Sequence, residues 1–458
     1  MIKSNNRATF DRLRTEYPVL FYNSYHYSFE GNKIKFSFEF QLSDTLTFRP
    51  SSSVTIPHFP QLREQLHTFI DNMIFQLGMI ELVSYWKSTC SPTIIVKAGM
   101  LDDERIDWWK DLYYNGLGEF FYLNSIETSI SEFVTIKAEG KQHIVSKLPH
   151  LTNEYIVPVG GGKDSSVSLE LLKKNGELVH PLIMNPRGAT VDTVEAAGLQ
   201  MDDVIIISRV IDPLLLQLNE QGFLNGHTPF SAMLAFYTLL ASGLTGYKHI
   251  ALSNESSANE ATIPGTTINH QYSKSIDFET KFRYYYSKYI SPELNYFSFL
   301  RPLNELQIVS IFATLPKYHH VFKSCNAGSK TNEWCGACPK CLFTHIMLSA
   351  FKGVDYADRI IGKPMLNIVS NEGYFDELTG ISPNKPFECV GTLSDVQAAM
   401  SMIINRGNFE KLPLLVSRFK QRAALSEPLE LLSQIQTDHF LNEQQLKYIN
   451  LALNERVS

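Results

Sequence analysis

Apolar and polar residues alternate through residues 19–57 with the two-residue period of a half-buried strand. Phe21, Tyr25 and Tyr27 lead into Glu30-Gly31-Asn32. Ile34-Lys35-Phe36-Ser37-Phe38-Glu39-Phe40 then alternates strictly, which predicts a β-hairpin closed by a short glycine-containing loop. From Gln61 to Lys87 the period lengthens. Leu66, Ile70, Ile74, Leu77 and Ile80 recur at helical spacing. A second helix is expected from an N-cap at Asp102, through Trp108-Trp109, to a stop at Gly116. Residues 1–148 therefore read as an N-terminal α+β domain.

The pattern changes at Tyr155. A short apolar strand (Tyr155–Val159) meets a glycine-rich turn, and a helix follows over Ser165–Lys174. Next come a strand at Pro181–Met184, a helix at Thr190–Ala197 and a strand at Val204–Ile207. Phe230–Leu244 is apolar on every side and reads as a buried core helix. Strands at His249–Leu252 and Tyr296–Leu300 and helices at Leu306–Leu315 and Leu342–Phe351 complete the series. Strands that alternate with helices predict a doubly wound α/β domain, a parallel sheet covered on both faces, over residues 149–351. Residues 352–458 read as a mixed, mostly helical region with breaks at Gly362-Lys363-Pro364 and Ser382–Pro386.

Composition narrows the class. The 458 residues are 44% hydrophobic and 19% charged, which suits a folded enzyme and excludes a wholly disordered chain. A net charge of −6 argues against a nucleic-acid partner. No apolar run reaches the length of a membrane span, and the N-terminus lacks the apolar segment of a signal peptide. A cytoplasmic protein with reduced thiols is the expectation.

Two segments carry chemistry. The first is Val157-Pro-Val-Gly160-Gly161-Gly162-Lys163-Asp164-Ser165-Ser166, between a strand and a helix. Glycines let the backbone approach an anion, and the free N–H groups of a helix N-terminus point at it. Ser165 and Ser166 are placed to cap the helix or donate to phosphate. A structural glycine turn would have the same composition. Lys163 is followed by Asp, so the loop is not a Walker A motif. The second segment spaces Cys325, Cys335, Cys338 and Cys341 as C-x9-C-x2-C-x2-C. Four clustered thiols in a reducing compartment predict a closed tetrahedral zinc site. A [4Fe–4S] cluster and free thiols are the other readings.

The loop resembles the SGGxDS loop of the PP-loop ATP-pyrophosphatase superfamily, with Gly160 in place of the usual serine. That resemblance implies ATP, cleaved to AMP and pyrophosphate. Asp164 beside phosphates then calls for Mg²⁺, and Lys163 offers a point charge. The cysteine spacing resembles the zinc site of 7-cyano-7-deazaguanine synthase, another PP-loop enzyme. One family fits more of the chain: the ATP-dependent UDP-N-acetylmuramoyl-L-alanyl-L-glutamate epimerases. The matching stretches are Val157–Ser166, Ser253–Thr262 (SNESSANEAT), Asn269–Ser275 (NHQYSKS), Tyr296–Glu305 (YFSFLRPLNE) and Phe322–Cys341.

The resemblance implies inversion of the terminal glutamate of a UDP-MurNAc-dipeptide after its α-carboxylate is adenylated, a step of peptidoglycan precursor synthesis. Inversion at carbon needs proton-transfer groups on two faces of a planar intermediate. His270 or Lys274 on one face, and Glu255 or Glu260 on the other, are the candidates. On a helix, His270 and Lys274 would share a face. Arg187 and Arg301, just after expected strand ends, are candidates for the anionic substrate. A nucleobase-activating PP-loop ligase and a non-catalytic zinc-knuckle protein are the competing readings.

Overall fold

The computed structural model describes residues 3–57, 63–149, 151–263, 265–407, 409–422 and 427–456. The chain forms two compact units that interleave along the sequence. Unit 1 comprises Met1–Ile156, Asp203–Ile250 and Thr267–Tyr296. Unit 2 comprises Val157–Asp202, Ala251–Thr266 and Phe297–Ser458. The strands are β1 (Val19–Glu30), β2 (Lys33–Leu42), β3 (Leu46–Phe48), β4 (Ser51–Thr55), β5 (Thr93–Val96), β6 (Thr135–Ala138), β7 (Thr152–Pro158), β8 (Val179–Met184), β9 (Ile205–Val210), β10 (Tyr247–Leu252) and β11 (Asn295–Ser298).

In unit 1, β1 and β2 form the expected antiparallel hairpin. Glu30 pairs with Lys33 across the two-residue loop Gly31-Asn32, and Gly31 has φ +59°. The strands run in the order β9-β4-β2-β1-β5-β6. The β1–β2, β2–β4 and β4–β9 ladders are antiparallel, whereas β1–β5, β5–β6 and β7–β10 are parallel. The protein is therefore mixed α/β: the parallel pairing expected over residues 149–351 is present between β7 and β10, but the sheet continues through β9 into the antiparallel strands of the N-terminal hairpin. The physical reason begins with the turns. The two-residue loop after β1 and the three residues after β2 are long enough to join only antiparallel neighbours. β9, one of the strands assigned to the parallel series, then pairs antiparallel with β4.

The long helix runs over His67–Trp86 after a 3-10 turn at Arg63–Leu66; Gln61 and Leu62, where it was expected to begin, lie outside the described residues. It is buried on every face from Asn72 to Trp86, not amphipathic. Its polar side chains find internal partners, as buried polar groups must. The Tyr285 hydroxyl donates to Gln76 Oε1 at 2.8 Å, and Asn72 Nδ2 donates to the Tyr289 carbonyl at 2.8 Å. Glu81 takes both arms of Arg209, at 2.6 and 2.7 Å. Gly78 lies against Tyr22 so closely that a Cβ would fall 1.9 Å from the phenol oxygen. The helix Asp103–Gly116 begins as expected, with the Asp102 side chain accepting from the Arg105 N–H. Helices at Gly118–Leu123, Pro213–Glu220 and Ile276–Tyr289 were not anticipated from the pattern.

In unit 2, the turn after β7 enters the helix Lys163–Lys174, and the Val159 N–H donates to the Leu182 carbonyl of β8 at 2.8 Å. The C-terminal part is helical, as expected. Its core joins Leu306, Val309, Leu342, Phe343 and Met347 to Phe375, Val396, Met400, Leu415 and Phe419, with Cys325 and Cys341 inside it. Among the described residues no helix is long and apolar enough to cross a membrane.

Candidate functional site

The phosphate-type loop of unit 2 is built by backbone conformation. Gly161 has φ +78°, and a Cβ there would lie 2.8 Å from the Ala189 carbonyl carbon, so only glycine fits without strain. A Cβ on the exposed Gly160 would meet nothing within 4 Å. Gly162 caps the helix Lys163–Lys174 through its backbone alone, leaving the first N–H groups without a side-chain cap. The room at Gly160 and the helix terminus suit a phosphate. Ser165 and Ser166 donate back to the Gly162 carbonyl at 3.2 and 3.1 Å, so neither hydroxyl caps the helix by accepting from its N–H groups.

Lys163 is placed differently from expectation. Its ammonium is buried, 2.6 Å from Asp164 Oδ1 and 2.7 Å from Glu305 Oε2. Burial works against its charge, but Asp164 and then Glu305 outweigh that and hold it protonated. Glu305 sits in the first turn of the helix Glu305–Phe312, whose capping box is made by Asn304 and Gln307. One ammonium offsets one carboxylate. Burial pushes the second carboxyl, Glu305, up to about 8, against the pull of Lys163 and with the push of Asp164 and Glu255. Glu305 closes the matched stretch Tyr296–Glu305, yet no role had been read for it.

The SNESSANEAT segment follows β10. Ser253 donates to Ser168 Oγ on the loop helix at 2.8 Å, and Asn254 donates to Ser298 Oγ at 3.0 Å. Glu255 is buried and accepts from Ser257 Oγ at 2.7 Å. Glu260 is more exposed and pairs with Lys385. Arg301 is fully buried and donates to the Glu255 carbonyl at 2.6 Å and to Ser298 Oγ at 3.2 Å, so it braces this segment. Arg187 is exposed at the N-cap of the helix Gly188–Ala196 and donates to Ser329 Oγ at 2.8 Å.

The four cysteines converge in unit 2. Cys335 and Cys338 sulfurs lie 3.7 and 3.5 Å from Cys341 Sγ, and all four ligand atoms fall within 4.8 Å of one another. Cys325 Sγ accepts N–H bonds from Gly328 at 3.2 Å and Cys335 at 3.4 Å, the support that thiolate ligands take. The hydrogen-bonded contact between the Cys338 and Cys341 sulfurs draws the Cys338 thiol well down. This donor set fits one tetrahedral zinc ion. The same segment reaches the loop: the Lys323 N–H donates to the Gly161 carbonyl at 2.8 Å, and a Cβ on Gly162 would come 3.2 Å from Ser324 Oγ.

His270 and Lys274 belong to unit 1. They lie in a turn and the 3-10 turn Tyr272–Lys274, so the shared helical face considered from the sequence does not form. Ser275 ends the stretch by capping the helix Ile276–Tyr289. His270 Nδ1 hydrogen-bonds Glu119 Oε2, and His227 Nδ1 lies 3.4 Å from the same oxygen. Glu119 is buried in the first turn of Gly118–Leu123. Burial, and then His270, push His227 down to about 4. Sequence reasoning missed Glu119 and His227, because neither stands in a motif and the three segments are far apart in the chain.

Comparison with known proteins adds the family. Residues 12–299 match the MurL N-terminal domain and residues 321–431 the MurL C-terminal domain. The UDP-N-acetyl-alpha-D-muramoyl-L-alanyl-L-glutamate epimerase of Xanthomonas oryzae pv. oryzae is 33% identical over 362 residues, 77% of this chain and 78% of that protein. Proteins of the same name from Salinispora tropica and a Micromonospora strain are each 30% identical, over 79% and 81% of this chain and 79% and 80% of their own lengths. With both domain models matched and most of each relative covered, the chain belongs to the MurL family and is an epimerase.

Proposed function

We propose that the chain inverts the terminal L-glutamate of UDP-MurNAc-L-Ala-L-Glu to D-glutamate, consuming ATP to AMP and pyrophosphate. The observation that carries the substrate is similarity along most of the chain to proteins named for that epimerisation. What supports the ATP step is the loop Gly160–Ser166, which resembles the PP-loop of ATP-pyrophosphatases in sequence and has the backbone room and uncapped helix terminus an anion needs.

The chemistry explains why ATP is spent on a reaction with no net change in bonding. A proton beside a carboxylate is poorly acidic, because its loss makes a dianion. Adenylating the α-carboxylate removes that charge and turns the carbonyl into an electron sink. Gly160, Gly161, Gly162, Ser165 and Ser166 would cradle the phosphates, and Asp164 would hold the Mg²⁺ that offsets their charge. Lys163, pinned between Asp164 and Glu305, sets the position of that carboxylate. Cys325, Cys335, Cys338 and Cys341 would hold a structural zinc ion, and the residues just before them, Lys323 and Ser324, lie against the loop glycines. His270, Lys274, Glu255 and Glu260 are the proton-transfer candidates; exposed Arg187 remains the substrate-binding one, while buried Arg301, first read in the same role, braces the Ser253–Thr262 segment instead. Hydrolysis of the adenylate frees the D-epimer.

The test is incubation of the purified protein with UDP-MurNAc-L-Ala-L-Glu, ATP and Mg²⁺ in D₂O. AMP, pyrophosphate and α-deuterated D-glutamate are expected together. Epimerisation that proceeds without ATP, or AMP formation without α-deuteration, overturns the proposal.

A further inference from the structure

We propose that Glu119, His227 and His270 bind one divalent transition-metal ion of the zinc class, at a second centre independent of the four cysteines. The donor set is two imidazole nitrogens and a carboxylate oxygen, which suits zinc and its first-row neighbours and not magnesium or calcium. All three ligand atoms fall within 4.8 Å of one another. Tetrahedral coordination with bonds of roughly 2.0–2.2 Å sets its ligand atoms roughly 3.3–3.5 Å apart. The His227 Nδ1 to Glu119 Oε2 separation of 3.4 Å meets that, and the closer His270–Glu119 contact, a hydrogen bond here, has to open to the same separation when the ion enters. A hydrogen-bonded Glu–His pair would explain one imidazole. It does not explain why a second histidine, from another segment, brings Nδ1 to the same carboxylate oxygen with the two rings 4.7 Å apart.

The surroundings prepare the site. The segment that carries His227 is tied down on both sides. Asn124 Nδ2 donates to the Asn225 carbonyl at 3.2 Å, and the Lys87 ammonium bonds the Gly226 carbonyl and Thr228 Oγ1. Glu119 is held in a helix whose first residue, Gly118, faces Ile268, two positions before His270. An ion here would therefore join three chain segments that are distant in sequence and would fix the Asn269–Ser275 stretch. Three protein ligands leave one position for water or another oxygen donor. The Lys87 and Lys274 ammonium groups nearby work against a cation, so this centre binds more weakly than four thiolates. If His270 is a ligand, Lys274 becomes the proton-transfer group of this stretch.

The test uses the full-length protein, stripped with a chelator and titrated with Co²⁺. Cobalt on thiolates shows intense charge-transfer bands, and cobalt on two imidazoles and a carboxylate shows only weak visible bands. The readout is the equivalent without thiolate bands, so it does not depend on the cysteines or on turnover. The expected result is one such equivalent in the wild-type protein, accompanied by a rise in thermal midpoint. H227A, H270A and the near-isosteric E119Q should each lose it while keeping any thiolate-bound cobalt. A wild-type titration without that equivalent overturns the proposal whatever the variants do. So does its retention in H227A/H270A.

Discussion

The two units hold their polar chemistry in different ways. Unit 2 sets it on short turns: the glycine loop after β7 and the thiol-bearing segment Cys325–Cys341, joined through Lys323 and Ser324. Unit 1 sinks it into the core, where Glu81 meets Arg209 and several histidines lie among aromatic rings. Each unit therefore depends on something different. A segment whose four thiols converge on one point gains stability from a bound metal, because metal binding and folding are coupled. Groups buried in a core need their partners and their protonation states instead. Unit 2 should therefore yield to chelators, and unit 1 to partner loss and acid.

The largest effect is expected at the loop. Asp164→Ala removes a half-exposed carboxylate and should lower ATP-dependent epimerisation by roughly a thousandfold, the scale of losing a metal contact to phosphate. The thermal midpoint should stay within a few degrees of wild type. Near-normal AMP release would place the nucleotide chemistry outside unit 2.

Next is the metal. Cys341 is wholly buried within the helical core of unit 2. Cys341→Ser should abolish zinc retention and raise hydrogen exchange across the helices Glu305–Phe312 and Pro339–Lys352, while peptides from the helix His67–Trp86 keep wild-type protection. Equal loosening of both units would mean that the thiol site supports the whole molecule and not unit 2 alone.

Smaller, and confined to unit 1, is the loss of the buried ion pair. Arg209→Met leaves Glu81 buried without its bidentate partner and should cost about 3 kcal/mol. Denaturant unfolding followed in both units should show the loss in unit 1 first. The double variant with Glu81→Leu should recover much of it, since removing both charges removes the unpaired one.

The smallest effect concerns acid. Burial pushes His143 and His249 down to about 4 from the ordinary 6.5. His143 stacks on Phe75 at 4.4 Å and His249 on Tyr155 at 4.7 Å. A lowered folded-state pKa contributes stability that is present above pH 6.5 and is lost as pH falls towards 4. Unit 1 should lose protection in that window, with His143→Gln and His249→Gln each removing up to one proton from the slope. An unchanged slope in both variants would mean that other groups govern the acid transition.

How much could be read in advance follows the same division. The glycine loop and the cysteine spacing are local patterns, so the strand–turn–helix at the loop and the clustering of the thiols were legible residue by residue. The hairpin at Gly31-Asn32 and the cap at Asp102 were legible for the same reason. Lys163 was legible as a cation beside a glycine loop, but its burial between Asp164 and Glu305 depends on a helix about 140 residues further along the chain. The antiparallel pairing of β4 with β9 was invisible, because strand direction across 150 residues of intervening chain leaves no trace in local periodicity.

By itself the sequence determined the local elements, the metal-type spacing of the thiols and the family to which the chain belongs. These rest on backbone propensity and on contacts within a few residues. Only the tertiary structure decided that Glu119, His227 and His270 meet at one carboxylate oxygen, and that Glu305 closes on Lys163. Those meetings depend on how distant segments pack, and a lone Glu or His carries the same propensity whether its partner is four residues away or 150.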